Sequence, residues 1–364
     1  MQGNPEVPPA AAQAGRAANV TRRGLLRKSL ALPLAAPLVL SLEEQALLAQ
    51  NAAPAAGPAR QPATARPVAV PGGDAVASPA KPVSAGKMPA GKIGKVQISR
   101  LICGGNLIGG YAHSRDLIYV SELLKHYFTD EKIMETWALC EAHGVNTMVA
   151  FFGDPHLVQL YSKYVKQGGK MQCLAQVNPT KEDVKTCVKQ AADAGAAGAF
   201  LLGNVGDAWA REGAVGRIGD LVQAIEQNGL ISGVGGHELR TTKAVEEAGI
   251  KPDFYVKTLH DNNYWSKRRP DQNKDVIDNY GTDNYWCMDP QETIAYMAGI
   301  ERPWIAYKVL AAGAIRPAHG FRHAFENGAD FALVGMFDFQ VAEDVAAARE
   351  ILAGRLNRQR KWMA

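Results

Sequence analysis

Four short apolar runs mark the second half of the chain, at 230–234, 254–256, 304–307 and 331–334. Two earlier runs, 171–177 and 199–202, have the same length and character. Segment 92–106 reads as a short hairpin leading into a first strand, and Gly144-Val145-Asn146-Thr147-Met148 leads into a second. Between these runs apolar residues recur three and four positions apart, the spacing of an amphipathic helix. The spacing predicts a helix over 131–143, carrying Ile133, Trp137 and Cys140 on one face. A second begins at the cap-like Thr180-Lys181-Glu182-Asp183 and carries Val184, Cys187, Val188 and Ala191. Further helices are predicted over 217–228 and 241–248, and another opens at Asp289-Pro290-Gln291-Glu292. That last segment combines an N-cap residue, a first-turn proline and a capping glutamate. Gly144, Gly195, Gly229 and Gly249 stand where the first four helices should stop.

Strands that alternate with helices favour a parallel α/β sheet. The expected fold is a (β/α)₈ TIM barrel over 88–364, with a long insertion, 261–287, after the sixth strand. A doubly wound open sheet is the alternative, but no GxGxxG follows the first strand.

In a closed barrel the groups just past the strand ends share one mouth. This makes Lys257, His260, His237 and Lys308 the candidate catalytic residues. A lysine buried near a second cation has a lowered pKa and can attack a carbonyl; imidazoles can exchange protons or hold a divalent metal. No HxH or HExxH spacing supports a metal. Asn106, Asp154, His156, Gln176, Asn178, Asn204 and Glu238 also follow strands and are candidate substrate contacts. The insertion repeats a motif, Asn263-Tyr264-Trp265 and Asn284-Tyr285-Trp286, with Asp261 and Asp283 nearby. Tyr264, Trp265, Tyr285 and Trp286 could stack on sugar rings, or simply pin the loop to the barrel. Ala311-Ala312-Gly313 and Gly335 could bring backbone N–H groups to the phosphate of a cofactor, or serve as tight turns. His113, His126, His143, His319 and His323 read as surface or packing residues, and Lys267-Arg268-Arg269 as solvated surface.

The N-terminal region adds an address. Arg22-Arg23-Gly24-Leu25-Leu26-Arg27-Lys28, followed by the apolar stretch 29–41, resembles a twin-arginine export signal. Such a signal over 1–49 implies the export machinery as a partner and a periplasmic or cell-surface location. The stretch is too short and too proline-broken for a stable membrane span. Residues 50–87 are rich in Ala and Pro with few bulky apolar groups, the composition of a disordered linker. Net charge is +4, but residues 1–87 carry about +5, which leaves the barrel near neutral. A neutral barrel does not suit nucleic-acid binding. The five cysteines form no CxxC pair and read mainly as small buried residues.

The hairpin and Gly104-Gly105 strand end, the helix to Gly144, and Val334-Gly335-Met336 followed by Gln340-Val341-Ala342-Glu343-Asp344-Val345 together resemble aldo-keto reductases. The resemblance spans about 92–355. It implies a barrel with a plugged floor, and it makes NADP a possible cofactor. The family's catalytic Asp, Tyr, Lys and His are not matched. Val149 and Phe152 stand at the first two places, Ala175-Gln176-Val177-Asn178 lacks the lysine, and Gly203-Asn204 replaces the histidine. The leading expectation is therefore an exported enzyme acting on a polyhydroxylated, sugar-like small molecule by acid/base or lyase chemistry. The alternatives are an NADP-dependent reductase with a reassigned proton donor, and a non-catalytic small-molecule-binding barrel. Substrate identity, metal content and oligomeric state stay open.

Overall fold

The computed structural model describes residues 87–111, 117, 119–264, 267 and 287–364. The signal-like segment, nearly all of the linker, and Trp265, Tyr285 and Trp286 lie outside the described residues, as do His113, Arg268, Arg269, Asp283 and Asn284.

A hairpin, β1 (Ala90–Ile93) and β2 (Val96–Ser99), opens the described chain. Eight parallel strands follow: β3 (Leu101–Cys103), β4 (Thr147–Phe151), β5 (Gln172–Val177), β6 (Gly198–Leu201), β7 (Ile231–Gly236), β8 (Phe254–Thr258), β9 (Trp304–Tyr307) and β10 (Phe331–Val334). Each pairs with the next, and β10 pairs back onto β3 through Ala332↔Leu101 to Val334↔Cys103. That closure makes the sheet a barrel and excludes the open-sheet alternative.

The helices are α1 (Val120–Tyr127), α2 (Asp130–Ala142), α3 (Pro155–Lys166), α4 (Thr186–Asp193), α5 (Gly203–Arg211), α6 (Val215–Gln227), α7 (Leu239–Glu247), α8 (Pro290–Ala298), α9 (Pro317–Glu326) and α10 (Val341–Ala353). Asp289 caps α8 as its sequence predicts, accepting the Glu292 N–H at 2.9 Å. Gly144 ends α2 in the left-handed region (φ 87°), where a side chain would strain the turn. The helix expected to open at Thr180 opens later. Thr180 Oγ1 accepts the Asp183 N–H at 3.0 Å, and Asp183 Oδ1 accepts the Lys185 and Thr186 N–H groups at 2.8 and 3.0 Å. Two side-chain-bonded turns take up the residues that the spacing assigned to a first helical turn.

Alternation along the strands sorts the core into two layers. Ile102, Leu174, Phe200, Phe254, Val256, Ile305 and Phe331 fill the barrel interior, joined by Ile93, Val96 and Ile98 of the hairpin, which plug the floor. Cys103, Met148, Cys173, Ala199, Tyr255 and Ala306 face the helices instead. Four of the five cysteines are buried, and all are free thiols. Among the described residues, no helix is long and apolar enough to cross a membrane.

The floor also holds a buried ionic cluster. Asp330 is fully buried, and its Oδ2 accepts the Trp304 N–H at 2.9 Å and Arg360 Nη1 at 2.7 Å. Its Oδ1 accepts the Met363 N–H at 2.7 Å. Trp362 lies between two guanidinium groups, 4.1 Å from that of Arg100 and 3.8 Å from that of Arg358. The segment after α10 is thereby fixed beneath the barrel.

Two stability predictions follow from these burials. Asp330→Ala would leave the guanidinium of Arg360 buried and uncompensated, so urea unfolding should show a loss of about 3–5 kcal/mol. Asp344, in the first turn of α10, is 2% exposed, and burial with the neighbouring Glu343 raises its pKa to about 7. A raised carboxyl pKa gives stability that is complete below the unfolded value and is lost as pH rises towards 7. Asp344→Asn should therefore raise Tm by roughly 5 °C at pH 8 and change it little near pH 4.

Candidate active site

The upper end of the barrel holds a cavity of about 220 Å³ between the loops that follow β3, β9 and β10. Asn106 and Gln176 line it, as do Val149, Leu333, Lys308, Ala311, Ala312, Gly313, Gly335, Phe337 and Gln340. The described lining thus has one cation, Lys308, several amides and no carboxylate or imidazole.

The loop after β9 is strained where it meets the cavity. Lys308, Ala311 and Ala312 all have positive φ, at 59°, 45° and 57°. A side chain in this region costs about 1–2 kcal/mol, and such residues concentrate at functional sites. Gly313 follows in the same region (φ 89°). Gly335 faces Gly104 so closely that a Cβ on Gly104 would sit 2.7 Å from the Gly335 nitrogen.

Beside the cavity stands a row of polar side chains that reach inward. Tyr307, the last residue of β9, belongs to the interior layer, and the Lys308 Nζ lies 5.6 Å from the centre of its ring. The His237 ring, just past β7, is 5.3 Å from the Tyr307 ring at 33°. Both reach the space above Gly203. A methyl on that glycine would lie 2.5 Å from Tyr307 Oη and 2.6 Å from His237 Cε1. Behind His237, fully buried Asp207 of α5 accepts His237 Nδ1 at 2.8 Å. It also accepts the backbone N–H groups of His237 and Glu238, and Thr241 Oγ1 at 2.6 Å. Burial by itself would raise the Asp207 pKa, but the hydrogen bonds from His237 and Thr241 and the nearby imidazole outweigh it and hold the pKa below the ordinary value. The Asp207 contact fixes the ring orientation and places the proton on Nδ1, leaving Nε2 as the basic nitrogen.

The other expected residues are placed as follows. Lys257 does not reach the cavity. Its neighbours Phe254 and Val256 face the interior, so Lys257, odd in that alternation, faces the helix layer. Its Nζ is held by the carbonyls of His237 at 2.7 Å and Thr258 at 3.0 Å, and burial lowers its pKa. The expected pairing of Lys257 with Lys308 in one pocket is corrected accordingly: the barrel wall separates them. His260 is a strut. Its Nδ1 bonds the Asp261 carbonyl at 2.9 Å, and its Nε2 accepts the Cys287 N–H at 2.9 Å, tying together the two ends of the insertion. Burial lowers its pKa to about 4, so it is neutral and its basic nitrogen is already engaged. Glu238, at the N-cap of α7, pairs with Arg211.

Asp154 caps α3 by accepting the His156 N–H at 2.9 Å, and the exposed His156 pairs with Asp130 at 2.7 Å, so both belong to the helix layer. Asn178 is exposed and does not line the cavity, and Asn204 is the second residue of α5. Tyr264 packs with Ala311 and Ile315 and meets the His260 ring edge-on at 5.8 Å, which is the loop-pinning role. Among the described residues, no group of three or more His, Cys, Asp or Glu side chains could hold a metal ion.

Asp207 and Tyr307 escaped the sequence reading. Tyr307 ends an apolar run next to the more conspicuous Lys308, and only its inward parity marks it. Asp207 lies 30 residues from His237 in a helix that the apolar pattern does not announce.

No family model matches the chain, and no curated protein does. Solved structures do match in fold. A crystal structure from Pseudomonas aeruginosa, provisionally named an aldo-keto reductase, aligns with a TM-score of 0.50 at 16% identity, covering 72% of this chain and 95% of its own. A second structure so named, from the same organism, aligns with a TM-score of 0.50 at 14% identity and the same coverage. A truncated 3-deoxy-D-arabino-heptulosonate 7-phosphate synthase from Thermotoga maritima aligns at 0.41 and 12% identity, covering 73% of this chain and 90% of its own. At these identities the likeness concerns the (β/α)₈ barrel alone.

The His260 strut has a measurable pH signature. A lowered histidine pKa gives stability that is complete above the unfolded value of 6.5 and is lost as pH falls towards 4. His260→Ala should be less stable than the parent at pH 7.5, and the gap should narrow as urea midpoints are followed down to pH 4.5.

Proposed function

We propose that this barrel is an enzyme that takes a small polyhydroxylated molecule into its mouth and moves protons on it. The observation that carries this reading is the row Asp207–His237–Tyr307, which ends beside Lys308 at the cavity wall. A buried carboxylate that orients an imidazole makes it a competent general base. A phenol beside that imidazole can relay or donate the proton. Asn106 and Gln176 offer neutral donors and acceptors suited to hydroxyl groups, and Lys308 can steady one developing negative charge. An imine route through Lys257 is not part of the proposal, because its ammonium is aimed at backbone carbonyls in the barrel wall.

A second reading, dependence on NADP, is favoured by the left-handed turn at Ala311–Gly313 facing Gly335, which leaves room for a phosphate. Val149 stands where the resembled reductases carry Asp, and the strand end Ala175-Gln176-Val177-Asn178 lacks their Lys, so that chemistry would need a new donor. Protection by NADPH against thermal unfolding would support it. The twin-arginine-like segment supports a third element of the proposal, export to the periplasm or cell surface. Fractionation of cells expressing the full chain, and an Arg22→Lys/Arg23→Lys variant retained inside, would test that.

Proton transfer at a carbon beside a carbonyl leaves a trace independent of the product. Incubation with a panel of aldoses and ketoses in D₂O should show solvent deuterium entering at least one sugar by NMR. His237→Gln and Tyr307→Phe should slow that exchange by roughly 10²–10⁴-fold. Lys257→Met should retain it, and borohydride should trap no adduct at Lys257. Exchange into none of the sugars, or full activity in His237→Gln, would sink the proposal.

A further inference from the structure

Two aromatic rings after β10 carry the cavity wall outward to solvent. Phe337 is half-buried and lines the cavity, whereas Phe339 is 69% exposed. Their rings stack at 5.2 Å and 16°, and Phe128 stacks with Phe337 at 5.3 Å and 22°. Tyr127 meets the two phenylalanines edge-on, at 5.4 and 6.5 Å. The residue between them is fixed as well. Asp338 accepts the Tyr127 hydroxyl, and Lys132 Nζ at 2.9 Å.

So exposed a phenylalanine recovers little of the burial energy that usually places one. Its ring is nevertheless positioned by stacking, and the side chain of Asp338 before it is held by Tyr127 and Lys132. Rigid exposed apolar surface beside a cavity marks a place where something binds. The charges around it narrow the class. Segment 335–345 presents Asp338 and the exposed Glu343 and contains no lysine or arginine; its third carboxyl, Asp344, is buried. The neighbouring Lys132 is already paired with both Asp338 and Glu135. A phosphate chain would meet carboxylates there, whereas the C–H face of an uncharged ring would meet an aromatic face.

Resting on the sugar reading above, we infer that Phe339, backed by the Phe128–Phe337 stack, forms a second subsite, whose outer ring face stacks an uncharged sugar ring joined to the one in the cavity. The substrate is then a glycoside of at least two units. Continuity supports this occupant, since Phe337 lines the cavity and stacks on Phe339.

The test is titration calorimetry of the full chain with glucose, mannose, xylose, galactose and N-acetylglucosamine, each against its α- and β-1,4-linked disaccharides. At least one disaccharide should bind about tenfold more tightly than its monosaccharide. Phe339→Ala should abolish that advantage and leave monosaccharide affinity unchanged, and Phe339→Trp should restore it. A monosaccharide that binds with no disaccharide gain overturns the second subsite while sparing the sugar reading. No binding by any sugar overturns both. Binding of ADP-ribose that Phe339→Ala weakens would give the step to a nucleotide base, and dimerisation that Phe339→Ala abolishes would give it to a second copy. Either result overturns the inference.

Discussion

Closure of the eight-stranded sheet leaves each strand residue only two destinations, the barrel interior or the helix layer. Everything else about the upper end of this molecule depends on that sorting. Tyr307 and Lys308 are adjacent in sequence, yet Tyr307 packs with the interior cluster while the chain turns sharply at Lys308. Across the neighbouring strand, Val256 points in and Lys257 points out, into carbonyls that hold its ammonium in place. Two lysines that look equivalent in the sequence therefore do different work. One helps to hold β7 and β8 together, and the other contributes the described cavity's positive charge.

Sorting alone would leave His237 free to turn about its side-chain torsions. Asp207 removes that freedom. It stands on α5, bonds the first backbone groups after β7, and reaches Thr241 at the start of α7. A buried carboxylate is tolerable only when its oxygens are satisfied, and here four donor groups satisfy them. The same carboxylate thus sets the strand-to-helix geometry and the imidazole orientation. The opposite end of the barrel uses the same device differently. Asp330 gathers Arg360, Trp304 and Met363 at the floor, and its role there is to fasten the chain after α10. The contrast follows the general division of these barrels, with chemistry at the C-terminal ends of strands and stability at the N-terminal ends.

The architecture was legible because it is written locally. The runs 304–307 and 331–334 coincide with β9 and β10, and Asp289-Pro290 opens α8 where its cap chemistry requires. The site was legible in part. Lys308, Asn106 and Gln176 stand at strand ends and line the cavity, and His237 packs against Tyr307 beside it. Asp207 was not legible, because its significance lies in bonds to residues 30 and more positions away. Lys257 was misread for a smaller reason. A shift of one residue reverses the direction of a strand side chain, and the apolar pattern of 254–256 is compatible with either face. Thr180 illustrates the same limit for helices, since its capping pattern is satisfied by a turn that stops short of a helix.

The strained loop after β9 bears on why the site sits where it does. A chain leaving β9 in ordinary extended geometry would carry Lys308 on towards the helix layer, opposite to Tyr307. The left-handed conformation at Lys308 breaks that alternation, so that two consecutive residues both serve the mouth, one as a ring in the interior and one as a lysine in the cavity wall. Glycine would adopt that backbone without strain but would supply no charge, and Ala311 and Ala312 repeat the strain where Gly313 shows the unstrained alternative. Tyr264 and Ile315 pack against Ala311 and supply the contacts that hold the turn. The strain is therefore sustained by tertiary packing from the insertion, which couples the start of that insertion to the placement of Lys308.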